Sequence, residues 1–187
     1  TMNPSTEDIL KVINRTPAET VFVFPNNKNI IMAAQQCQPL TEKKVIVIPT
    51  TTVPQGISAL LMMDSANTAE ELTEAFTQAA SGVHTALVTY AARDSDFDGH
   101  DIHAGEYLAL LDGALVGSYT DPDAMIQAVA GAMEDLEPSL ITVYYGEDVA
   151  EAAAGSVADA LSASFPDAEV STINGGQPVY YYMISAE

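Results

Sequence analysis

Two short polar strings hold the residues best suited to meeting another molecule. One is Asn26, Asn27, Lys28 and Asn29; the other is Thr50, Thr51 and Gln55. Amides and hydroxyls both donate and accept hydrogen bonds, and Lys28 adds a full positive charge. Such a set could grip a partner's backbone, or an acidic group or small anion at two helix starts. The plainer alternative is that Asn and the neighbouring prolines only shape turns. A second cluster, Asp94-Ser95-Asp96-Phe97-Asp98-Gly99, resembles the opening of a calcium loop. That loop needs an apolar eighth residue and Glu at the twelfth place. Here Asp101 and Gly105 stand there, with Ile102 and Glu106 each one place late. A solvated acidic turn is the better reading. His100 and His103 would face opposite ways on a strand and read as ordinary polar histidines. Ser and Thr are plentiful, but none has a nucleophile elbow around it, and neither a Walker loop nor GxGxxG occurs.

The polar strings are placed by what precedes and follows them. Val21-Phe22-Val23-Phe24 and Val45-Ile46-Val47-Ile48 are short, branched and aromatic runs of the kind found in buried strands. Pro25 and Pro49 end them, since proline supplies no ladder donor. A helix is expected from near Lys28, stopping at Gln38-Pro39, and another from Ile57 through Leu61. Successive strand-loop-helix units pair in parallel through crossovers, which brings both loops to one edge. If so, Asn26, Asn27, Lys28, Asn29, Thr50, Thr51 and Gln55 share one rim. A capped helix precedes the first strand, at Ser5-Thr6-Glu7-Asp8 and the apolar residues after it. Another follows the second unit, with Thr68 and Glu71 as a capping box and Gly82 just past its end.

Beyond Gly82 the pattern changes. Strands are expected at 83–90, 107–111, 114–119, 140–145, 168–173 and 178–185, with Asp112-Gly113 a strong hairpin turn. Helices are expected from Asp121-Pro122 onward and over 148–164. The chain therefore reads as an α/β protein of two packed lobes: 1–81 with parallel strands, and 82–187 with a mixed sheet and a hairpin.

Composition narrows the function. The 187 residues are 48% hydrophobic, enough for a core, and no apolar run approaches a bilayer-spanning length. Net charge is −20, and all six Lys and Arg lie at or before Arg93, with 18 acids after it. Nucleic acid and anionic membranes are poor partners for such a surface. The acidity reads as solubility, or as a surface steering a basic partner. Cys37 is the only cysteine, which rules out an internal disulfide and points to a cytoplasmic protein. The start Thr1-Met2-Asn3 lacks an initiator methionine and reads as an expression remnant on a piece of something longer.

The strings themselves carry a family resemblance. Phe24-Pro25-Asn26-Asn27-Lys28-Asn29-Ile30-Ile31-Met32-Ala33-Ala34 and Val47-Ile48-Pro49-Thr50-Thr51-Thr52-Val53-Pro54-Gln55-Gly56 resemble the C-terminal region of DAK2-domain (DhaL-type, dihydroxyacetone kinase-like) fatty acid kinases, the FakA-like proteins. Further matches follow in order at 102–108, 141–146 and 174–180, so the resemblance covers nearly the whole chain. It implies a DegV-like (EDD) fold. It also implies a system in which ATP and magnesium drive phosphorylation of a fatty acid held by a DegV-like partner. The ATP-binding domain and the middle domain of that family are missing here, so no catalytic residue, cofactor or metal is carried over. The expectation is a non-catalytic domain that binds a DegV-like fatty-acid-binding protein and the rest of its own kinase chain. Asn26, Asn27, Lys28, Asn29, Thr50, Thr51 and Gln55 are the candidate contact residues. The alternative is a lipid or small-anion binding module using the cleft between the lobes. An autonomous hydrolase or transferase ranks third, lacking a nucleophile or metal set.

Overall fold

In the computed structural model, residues 3–97 and 99–187 are described. The chain divides into two compact units, Thr1–Val83 and His84–Glu187.

The first unit is built on two short strands, β1 (Thr20–Val23) and β2 (Lys44–Val47), which pair in parallel with Val21 opposite Val45. Helices α1 (Thr6–Arg15), α2 (Ile31–Gln35), α3 (Val53–Leu61) and α4 (Ala69–Ser81) surround them. Alternation along the strands splits the core in two. Val21 and Val45 pack with Ile13 and Cys37, with Val23, Val47, Ile9 and Leu10 at the margin. Phe22, Phe24 and Ile46 turn the other way, onto Ile48, Ala59, Leu72, Phe76 and Ala80. Helix starts follow sequence chemistry. The Ser5 hydroxyl accepts from the Asp8 amide while the Asp8 carboxylate accepts from the Ser5 amide, and Thr68 and Glu71 repeat the device.

The second unit is a six-stranded mixed sheet. Its strands are β3 (His84–Tyr90), β6 (Tyr107–Leu111), β7 (Ala114–Tyr119), β8 (Leu140–Tyr145), β9 (Glu169–Asn174) and β10 (Tyr182–Ala186), in spatial order β7-β6-β3-β10-β8-β9. Only β8 and β9 pair in parallel. Helices α5 (Pro122–Met133) and α6 (Glu151–Ser164) supply Met125, Val129, Met133, Val157 and Leu161 to its core. The Asp112-Gly113 hairpin forms as its sequence predicts, with φ of 50° and 85°.

Several details differ from the sequence reading. The helix expected from Ile57 starts at Val53, because the Thr52 hydroxyl caps it by accepting from the Gln55 amide. The helix expected from Lys28 starts at Ile31, because Asn27 first closes a polar turn. The helix expected from Asp148 starts at Glu151. The acidic segment read as a turn contains a small hairpin, β4 (Ser95–Phe97) with β5 (His100–Ile102). The final strand, expected from Pro178, begins at Tyr182: Val179 has a φ of +72°, outside extended backbone.

Candidate functional site

Parallel pairing of β1 and β2 delivers the loops that follow them to one edge of the small sheet. They are tied by a reciprocal pair of bonds. The Asn26 amide donates to the Thr50 hydroxyl at 3.0 Å, and that hydroxyl donates to Asn26 Oδ1 at 2.8 Å. Thr50 is 1% exposed. Asn26 adopts φ of 56°, a left-handed conformation that Asn tolerates. Its side chain lies against the first turn of α3, where a Cβ on Gly56 would fall 2.1 Å from Oδ1. Gly56 therefore makes room for the clasp.

The other candidates fall into local pairs. Asn27 Oδ1 accepts from the Asn29 amide at 2.9 Å, and the Asn27 carbonyl from the Ile30 amide at 3.0 Å. Gln55 Oε1 accepts from both the amide and the hydroxyl of Thr51, at 2.8 and 3.0 Å. The Gln55 amide donates to Thr52 Oγ1, and Gln55 Nε2 to the Val83 carbonyl, each at 3.4 Å. Lys28, Asn29 and Thr51 are exposed. The structure thus joins Asn26 to Thr50 and Thr51 to Gln55, and leaves Lys28 facing solvent.

The amides of Asn29, Ile30, Thr51 and Gln55 are bonded within the loops themselves. Among the described residues no three His, Cys, Asp or Glu side chains converge on a point that could hold a metal ion. Asp98 of the acidic cluster lies outside the described residues. His100 begins β5 and His103 follows its end. Cys37 is fully buried, donating to the carbonyls of Thr6 and Ala33, and burial pushes its thiol up in pKa, away from reactivity.

Sequence reasoning missed two features. The first is an open apolar groove of about 480 Å³ within the first unit, running along β1 between Val12 of α1 and Leu60 and Met63 at the end of α3. The exposed Leu60, Leu61, Met62 and Met63 were a visible signal. The second lies in the second unit, where the loop 175–181 wraps Gly146. The Gly146 amide donates to the Tyr181 carbonyl, the Glu147 amide to the Gln177 carbonyl, and Gln177 Nε2 to the carbonyls of Tyr144 and Tyr180. The Thr89 hydroxyl holds the carbonyl of strained Val179 at 2.8 Å.

The clasp predicts a measurable stability effect. Thr50→Val keeps the shape but removes the group that serves both Asn26 atoms. A loss of about 1–2 kcal/mol is expected in urea unfolding, the range for a lost hydrogen bond that strands a partly buried donor. A change below a few tenths would mean the loops are not locked through Thr50.

With a two-stranded parallel sheet in one unit and a six-stranded mixed sheet in the other, the chain has a DegV-like fold. The DegV family protein Cg2579 from Corynebacterium glutamicum matches with a TM-score of 0.73 at 13% identity, covering 98% of this chain and 82% of that one. The Streptococcus pneumoniae fatty acid kinase (Fak) B3 protein, solved loaded with linoleic acid, matches at 0.70 and 14% identity, covering 98% and 76%. At such identities the likeness shows the fold. The chain belongs to the FakA-like C-terminal family of fatty acid kinases, which matches it over residues 1–187. Protein YloV of Bacillus subtilis is 38% identical over all 187 residues, and protein SH1689 of Staphylococcus haemolyticus 37%. The chain spans 34% of the length of each of these curated relatives.

Proposed function

We propose that this chain is the non-catalytic docking domain of a fatty acid kinase, and that it engages a DegV-like fatty-acid-binding protein through the clasped loops. Membership of the FakA-like C-terminal family supports the kinase context. The likeness in fold to the Fak B3 protein supports the setting of a fatty acid kinase system, in which a DegV-like fatty-acid-binding protein is the proposed partner. One observation carries the choice of surface: two loops on one sheet edge are locked together by Asn26 and Thr50, yet leave the Lys28 charge exposed. A rigid polar platform loses little freedom on binding, which favours affinity. ATP and magnesium would act in the kinase region of the longer polypeptide, and the cytoplasm is where such a system would work.

The test is surface plasmon resonance against a DegV-like fatty-acid-binding partner, alongside thermal melts. Lys28→Ala is expected to weaken binding by about threefold to tenfold, mostly through a slower and less salt-sensitive on-rate. Its stability should change by about 0.5 kcal/mol or less, as for other exposed substitutions. Unchanged affinity in Lys28→Ala and Asn27→Asp would leave the loops as structural turns. Clear micromolar binding of Mg-ATP to the 187-residue chain at unit stoichiometry would overturn the non-catalytic reading.

A further inference from the structure

All eight tyrosines of the chain lie in the second unit. Three of them gather at the end of the large sheet where β8 leads towards α6. Tyr90 closes β3 and Tyr107 opens β6, directly opposite each other in the ladder, so both side chains rise from one face. Tyr181 meets both. Its ring centroid lies 5.9 Å from that of Tyr90 and 5.5 Å from that of Tyr107, with the planes inclined at 50° and 61°. Tyr90 is 44% exposed, so part of its ring is left to solvent. The backbone fixes Tyr181 in place: its carbonyl accepts from the Gly146 amide at 2.9 Å, and the Gln177 carbonyl accepts from the Glu147 amide at 3.1 Å. Val179, two residues earlier, holds a φ of +72° with its side chain 47% exposed. Such backbone in a branched residue persists only where its surroundings over-determine it, and it clusters at sites that meet other molecules.

The same bonds bring carboxylates to the rings. Glu147 and Asp148 follow Gly146 directly and are exposed. Burial first, then Tyr107, the Asp148 carboxylate and Tyr90, push the Tyr181 hydroxyl up in pKa, so Asp148 acts on that hydroxyl at short range. The start of α6 opposes a cation with about half a positive charge. Glu147, Asp148 and Glu151 outweigh it with a full negative charge each. Arg93 is the only Lys or Arg of the unit, against 18 acids. An aromatic surface with carboxylates beside it suits a cation, because the ring face is electron-rich. A guanidinium suits it better than an ammonium: its flat face stacks on the ring while its edge gives two parallel bonds to a carboxylate.

We propose that this corner of the second unit receives an arginine side chain from the surface of a partner protein, its guanidinium stacked on Tyr90 and paired with Asp148. Tyr181 and Tyr107 act as positioning residues that hold the Tyr90 ring. The acidic field of the unit steers the basic partner inward, which makes the encounter faster and sensitive to salt. The site is independent of the clasped loops, which belong to the first unit.

The test is titration of the capped peptide Gly-Arg-Arg-Gly into the 187-residue chain, with isotope-labelled tyrosine rings followed by NMR. Saturable shifts are expected at the rings of Tyr90 and Tyr181. The lysine counterpart should bind at least about threefold more weakly, and the neutral citrulline counterpart should not shift these rings. Tyr90→Leu and Asp148→Asn should each weaken the arginine peptide by about fivefold. Asp148 is exposed, so its variant reads out even if Tyr90→Leu fails to fold. Asp135→Asn, at the far end of α5, controls for diffuse attraction to an acidic surface and should change binding by about twofold or less. Unmoved rings, or equal losses in Asp148→Asn and Asp135→Asn, would overturn the proposal. Equal binding of the arginine and lysine peptides would overturn the assignment to arginine.

Discussion

Phe76→Ala is expected to destabilise the first unit by about 4 kcal/mol, within the range for truncating a buried phenylalanine. Phe76 is 1% exposed and belongs to the core cluster formed with Ile48, Ala59, Leu72 and Ala80. Its ring meets Phe22 edge-on at 5.1 Å and Phe24 at 5.2 Å. The substitution removes the buried surface, leaves a void between β1 and α4, and ends two aromatic contacts worth about 0.5–1.5 kcal/mol each. Against a total stability of about 5–15 kcal/mol for a typical domain, that brings the first unit close to unfolding. The core of the second unit contains no residue of this cluster, so its own transition should persist. Urea titration followed by circular dichroism should show one early and one unshifted transition. A loss below about 1.5 kcal/mol, or one transition shifted as a whole, would contradict this division of the core.

Gly146→Ala should cost about 3 kcal/mol, near the upper end for forcing atoms into a filled space with loss of hydrogen bonds. A Cβ at Gly146 would lie 2.3 Å from the Tyr180 carbonyl oxygen and 2.7 Å from that of Gln177. Both are backbone atoms in a loop fixed by Gln177 and by the strained Val179, so neither can swing aside like the tip of a side chain. Relief requires moving the loop 175–181, which breaks the bonds from Glu147 and Gln177. Gly155→Ala in α6 is the control. Nothing lies within 4 Å of that Cβ, and alanine should stabilise the helix by about 0.5–1 kcal/mol. Equal effects of the two substitutions would show that the loop does not close on Gly146.

What could be read from the sequence was local. The caps at Ser5 and Thr68, the Asp112-Gly113 turn and the strands at 44–47 and 140–145 all depend on residues a few positions apart. Parallel pairing of β1 with β2 followed from the crossover between them. The clasp was not legible, because Asn26 and Thr50 are 24 positions apart and nothing local to Thr50 marks it as buried. The place of Gly56 depends on that clasp in turn. Pro178 to Tyr181 carries the residue types of a strand, but contact with Gly146 overrides their preference. The β4–β5 hairpin escaped because Ser95, Asp96, His100 and Asp101 are polar and exposed, so no apolar alternation announced it. For the candidate loops, residue types marked the place, while the division into locked and exposed side chains needed tertiary structure.

The order of the large sheet has a kinetic consequence. Strand β10 lies in the middle, between β3 and β8, and its residues pair with β3 partners 94 to 102 positions earlier. Closing a loop of that length costs about 4 kcal/mol in chain entropy before any contact compensates it. The β6–β7 hairpin can zip within microseconds, and β8 can dock β9 through α6, but each would wait as a half-sheet with an unsatisfied inner edge. The insertion of Tyr182–Ala186 should therefore limit the folding rate of this unit. A chaperone acting on the protein would meet the two half-sheets before that strand arrives.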